Sequence, residues 1–139
     1  MMIGSQVNAF DPADLQKLMD TNSCVRCDLR GANLNDANLG GAILEGANLV
    51  GANLNAATLN GANLRDSDLK DAKLFWALLS DADLRGAYMV ATGLNAANLS
   101  DANLGGADLT NAKLRRATMK GAILCNTIMP DGSVIYSGC

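Results

Sequence analysis

An all-β chain that bends once every five residues, with its leucines packed inside the bends, is what the sequence predicts, and three coincident registers predict it. Leu or Met stands at every fifth position from Leu29 to Leu124, Ala stands two residues before it in nearly every case, and Gly, Asp or Asn usually stands two residues after it. Self-similarity of this kind outranks any local propensity. On an α-helix a step of five advances a side chain by about 500°, so successive leucines would fall about 140° apart and form no face. On a straight strand side chains alternate, and an odd step sends consecutive leucines to opposite sides. Ala and Leu can both point inward only if the chain turns a corner in every repeat. The Ala-to-Leu step of two is strand-like, and the Gly, Asp and Asn positions have the composition of turns.

If four such corners close a square, a coil takes about 20 residues and stacks on the next at about 4.8 Å. Each leucine then lies over one a full coil away, as in Leu34, Leu54, Leu74, Leu94 and Leu114. Burial of one such side chain is worth roughly 1.5–3 kcal/mol before entropy. The Ala position leaves room for little more than a methyl, and the outward residue between Ala and Leu is Asn or Asp in more than half the repeats, suited to bonding turn backbone.

The run GANLNDANLGGAILEGANLVGANLNAATLNGANL resembles the pentapeptide repeat family and its A(D/N)LXX consensus. The resemblance covers residues 27–126 as 20 repeats. It implies the four-sided cross-section, and with it a right-handed quadrilateral β-helix of about five coils, and a rigid scaffold or protein–protein interaction module rather than an enzyme. Some members of the family mimic DNA toward a type II topoisomerase, gyrase among them, which is the alternative reading. The modest formal charge of −3 and the lack of one continuous acidic column weigh against it.

A stack of this kind is weakest at its open ends and needs caps. Residues 1–26 are expected to supply one as a short helix over about 12–20. Asp11 is its N-cap and Pro12 its first position, Asp14 adds charge to the first turn, and Leu15, Leu18 and Met19 form an apolar stripe. Phe10 is placed to staple onto Leu15. At the other end Pro130 and Asp131-Gly132 break the pattern, and residues 127–139 are expected to fold over the last coil as a capping tail. Head and tail, each with cysteines, resemble small cyanobacterial and thylakoid-lumen members of the family.

Of the three pairings open to four cysteines, Cys125 with Cys139 is favoured, because it would pin a loose tail. Cys24 and Cys27 are either a disulfide or two reduced buried thiols; a metal site is a remoter reading, since one CxxC with no His lacks a second ligand pair. Paired cysteines suggest an oxidising compartment. No basic segment and apolar core precede residue 10, yet Val7-Asn8-Ala9 has the small-x-small form of a cleavage site. The expectation is a periplasmic or thylakoid-lumen protein whose leader is absent from this chain, with the cytoplasm as the alternative.

Composition narrows the functions further. The chain has no His, which removes imidazole ligands and the usual general base. It carries no basic footprint for nucleic acid, no apolar run of membrane-spanning length and no phosphate loop. Neither a catalytic residue nor a cofactor or metal is expected, and the chain is read as a monomer with a protein partner. Asp66, Asp68, Asp71, Asp81, Asp83 and Asp101 read as solvated turn residues on a convex rod. Arg115 and Arg116, with Lys113 and Lys120 nearby, read as a small solubilising patch. Phe75-Trp76, followed by Leu78, is the outward apolar cluster. Trp76 occupies a turn position usually held by Gly or Asp, and its neighbours one coil away are Ala56 and Ala96. The cluster is either a partner-binding hot spot or an aromatic shield over small neighbours.

Overall fold

A single backbone angle recurs along the chain. A computed structural model describes residues 9–139, so Val7 and Asn8 lie outside the described residues. Every fifth residue from Arg26 to Asn126 has positive φ, at +57° to +76°. Each corner is closed by the Ala-register N–H donating to the carbonyl of the preceding Leu, as from Ala37 to Leu34 (3.1 Å) and from Ala57 to Leu54 (3.1 Å). Positive φ at the third of four residues is the pattern of a type II turn.

Between corners the chain is extended and pairs with itself twenty residues on. Parallel bridges run from Ser23 with Ile43 to Asp108 with Ile128, always at that interval. Leu34 N–H donates to Asn53 C=O (2.7 Å), Asn53 N–H donates back to Ala32 C=O (2.9 Å), and the corner N–H of Asp36 donates to Asn55 C=O (2.9 Å). A five-residue corner and a twenty-residue pairing interval make four corners per layer. All Leu-register side chains from Leu29 to Leu109 are buried, Met89 among them, and the Ala-register residues lie beside them. Three hydroxyls that replace the Ala methyl are satisfied on backbone carbonyls: Ser67 on Leu64, Thr92 on Leu69 and Thr127 on Leu104, each at 2.7 Å.

The outward Asn and Asp positions cap the turns. Asn33, Asn48, Asn53, Asn98 and Asp108 each accept, through Oδ1, the N–H two residues on, at 3.0–3.1 Å. A turn amide that no other layer reaches is thereby bonded locally, which explains why residues poor in ordinary strands are abundant here.

The first layer is closed by the helix α1, Pro12–Thr21. Asp11 is its N-cap and accepts from Ala13 N–H at 2.8 Å; its C-cap Asn22 is left-handed at φ 60°. Hydrogen bonds dock the helix and its caps: Asp11 N–H donates to Asp28 C=O (3.0 Å), Asp14 Oδ2 accepts from Asp28 N–H (2.8 Å), and Asn22 Nδ2 donates to Gly40 C=O (2.9 Å). Leu18 is buried, with Phe10 and Leu15 partly so, but Met19 faces solvent. At about 100° per residue, Met19 lies a quarter-turn away from the docked side centred on Leu18. Cys24 and Cys27 are joined in a buried disulfide around the first corner, at Arg26. They stand in the Leu and Ala registers, so the ladder begins at Ser23, before the first Ala of the repeat.

The opposite end differs from the expected cover. Leu124–Ile128 (β1) and Val134–Ser137 (β2) pair antiparallel across a turn in which Met129 N–H donates to Ser133 C=O (2.7 Å). Pro130 and Asp131-Gly132 thus return the tail alongside its own preceding strand, where the Cys125–Cys139 disulfide holds it. Leu114, Met119 and Leu124 stay half-buried as a result.

Candidate partner-binding face

The sequence-predicted cluster sits at one corner, and its construction depends on a substitution in the capping scheme. Lys73, Leu78 and Lys113 occupy outward positions where Asn or Asp would cap the next turn. In each case an Asn twenty residues before the uncapped amide accepts it instead. Phe75 N–H donates to Asn55 Oδ1 (2.9 Å), Ser80 N–H to Asn60 Oδ1 (3.1 Å) and Arg115 N–H to Asn95 Oδ1 (3.0 Å). Asn55, Asn60 and Asn95 therefore release those three outward positions for side chains that cap nothing.

Trp76 is at the corner itself, with φ 60° and 66% of its surface exposed. A bulky residue in the left-handed region is an outlier that costs about 1–2 kcal/mol. Phe75 meets it edge-on, with ring centroids 6.3 Å apart and planes at 65°. The Phe75 ring lies over Gly93, where a methyl group would come within 2.8 Å of Cζ; the missing side chain is what lets the ring lie there. Leu78 is exposed beyond the corner and does not line the groove described next.

Beside Trp76 runs a groove of about 480 Å³, floored by Asn95 and Ala96 and ended by Arg115 and Arg116. On the other flank of Phe75 a second depression of about 310 Å³ includes Lys73, Gly93 and Lys113. Lys73, Gly93 and Lys113 are bridged in succession, so the two lysines lie two layers apart on one face. The ion pairs among the described residues are Arg30–Asp28 (2.8 Å) and Arg85–Asp83 (2.6 Å), so none of these four cations is engaged in one.

Two carboxyls are each held by an arginine two residues on. The Arg85 guanidinium beside Asp83 holds that carboxyl below its ordinary 3.8, and Arg30 does the same for Asp28. Each of these ion pairs joins its arginine to an outward aspartate. Among the described residues no cluster of His, Cys, Asp or Glu could hold a metal, and all four cysteines are in disulfides.

The family model for pentapeptide repeats matches residues 23–61, 47–86 and 94–129. The chain belongs to the pentapeptide repeat family. Membership implies the right-handed quadrilateral β-helix. Similar solved structures include the pentapeptide repeat protein Rfr23 from the cyanobacterium Cyanothece 51142, at 31% identity and TM-score 0.62, covering 79% of this chain and 92% of that one. Another, alr5209 from Nostoc PCC 7120, is 30% identical with TM-score 0.56, over 92% of this chain and 87% of that one. HetL from Nostoc sp. strain PCC 7120, a pentapeptide repeat protein involved in heterocyst differentiation regulation, is 32% identical with TM-score 0.52, over 81% of this chain and 68% of its own. No curated protein matches the chain significantly.

Proposed function

We propose that this pentapeptide repeat protein is a non-catalytic rigid scaffold of five coils that holds a protein partner against the Phe75–Trp76 corner. One observation carries the reading. Trp76 is both mostly exposed and left-handed, so it contributes neither core burial nor an easy turn. Strain retained at an exposed aromatic points to function, and Trp is enriched among residues that dominate interfaces. Leu78 extends the apolar surface around the corner. The backbone beneath is held by inter-layer hydrogen bonds, so the face is presented pre-formed, which limits the ordering cost of binding. The two disulfides support an oxidising compartment such as a periplasm or thylakoid lumen.

No observation favours DNA mimicry. Asp81 and Asp101 are one layer apart at one corner, but at other corners Asp66 is followed by Gly86, and Asp71 by Ala91. The test is a pull-down with wild type and Trp76→Gly from soluble and lumenal or periplasmic extracts. A partner retained by wild type and lost by the variant is expected, with the variant still folded because Gly suits the corner. Equal capture by both proteins would overturn the assignment of this face.

A further inference from the structure

We infer that the groove beside Trp76 takes an acidic segment of the partner protein, anchored by an apolar side chain on the aromatic pair and by carboxylates on Arg115 and Arg116. This rests on the reading of the Phe75–Trp76 corner as a binding face, and names the chemistry of what it binds.

Charge is the first argument. Lys73, Lys113, Arg115 and Arg116 surround the two rings with Asp71 as the neighbouring carboxylate in the depressions, a net of +3 on a chain whose formal net charge is −3. The surface is thus locally reversed in sign at the place where the apolar side chains emerge. All four cations are exposed and outside any ion pair among the described residues, so none need leave a partner to meet an incoming carboxylate.

The backbone is the second. Trp76, Ala96 and Arg116 form one corner column, each left-handed, with φ 60°, 61° and 63°. The two members that bracket the groove are the bulky ones, and the one between is Ala, which leaves the floor open. A long side chain in the left-handed region is strained at Arg116 as it is at Trp76. Both strained side chains border the same groove, which unites two features that the sequence presents forty residues apart.

Spacing is the third. Two layers separate the aromatic end from the arginine end, about 10 Å at the inter-strand distance. Three residues of extended polyproline-II chain span about 9 Å and return to the same side. The segment that fits therefore carries an apolar residue three positions from a pair of acidic ones. Arginine forks suit carboxylates bidentately. Nucleic acid would also meet cations and aromatics, but the acidic surroundings oppose a long polyanion.

Trp76 is the chain's sole tryptophan, so its emission reports occupancy of the groove directly. The full chain is titrated with a synthetic peptide bearing Leu three positions before a Glu-Glu pair, with the same peptide bearing Lys-Lys, and with a single-stranded oligonucleotide. The expected result is a saturable emission change with the acidic peptide, at least tenfold weaker for the Lys-Lys peptide and for the double variant Arg115→Ser, Arg116→Gly, and weakened by salt. Arg116→Gly places a residue that suits the corner, and a cooperative thermal transition at or above the wild-type temperature confirms that the variant is folded. No response to the acidic peptide, equal response to the Lys-Lys peptide, or tighter binding of the oligonucleotide overturns the inference. Should the pull-down partner depend on Trp76 but be held equally by the double variant, the acidic-segment inference fails while the binding face stands.

Discussion

One dihedral angle sets the rules for residue choice. The corner requires φ near +60°, and eight glycines meet it without cost, while Asp and Asn tolerate it. Ala56 meets it with strain and packs no ring there, so Ala56→Gly is expected to raise stability by about 1 kcal/mol in chemical denaturation. An unchanged or lowered midpoint would show that the corner carries no strain. The sequence displayed this register as turn composition, and it set Trp76 apart from the Gly or Asp usual there. It also contained the association of Trp76 with Arg116, since the two are separated by two pairing intervals. That association is hidden in the sequence, because a basic pair in isolation resembles ordinary solvated surface. Phe75 over Gly93 was hidden for a different reason: an absent side chain becomes a docking place only when the ring above it is known.

The elements differ in how fully their inward side chains are covered. In the central layers leucine is sealed above and below, so Leu54→Ala should cost about 2–5 kcal/mol, as cavity-forming truncations do. Leu114→Ala, at the half-buried end, should cost distinctly less in the same unfolding assay. Equal losses would mean that the last layer is covered after all. The helix was legible because its cap residues have local chemistry: Asp11, Pro12 and Asp14 act within one turn. The tail was legible only as an end to the repeat. Whether the tail crosses the open layer or folds back as a hairpin is decided by β1 pairing, a non-local choice. Selective reduction of Cys125–Cys139 should release β2 and lower stability by roughly 3 kcal/mol in the chain-entropy account of a loop this size. Retained slow amide exchange in Val134–Ser137 after reduction would show that the hairpin needs no staple.

Across the molecule, stability is distributed along a stack in which each layer contacts its neighbours, so acid should act gently. The Asp28 and Asp83 carboxyls have folded-state values below their ordinary 3.8, because Arg30 and Arg85 donate to them. Their contribution is therefore complete above about pH 4–5 and is lost as pH falls through the lowered folded values. Thermal stability should be flat in this respect from pH 7 to about 5 and decline below about 4; loss already near pH 6 would contradict the assignment. Residues twenty apart lie against one another, and that interval buries the leucines, stacks the corners and, taken twice, brings Trp76 to Arg116. Two-dimensional NOE spectroscopy on the labelled protein tests this stacking most directly. Contacts are predicted from the Trp76 indole to the Ala96 methyl and from Asn53 N–H to the residues around Ala32. A spectrum with no contacts at this interval, or with the i to i+3 and i+4 contacts of helix through residues 30–120, would contradict it.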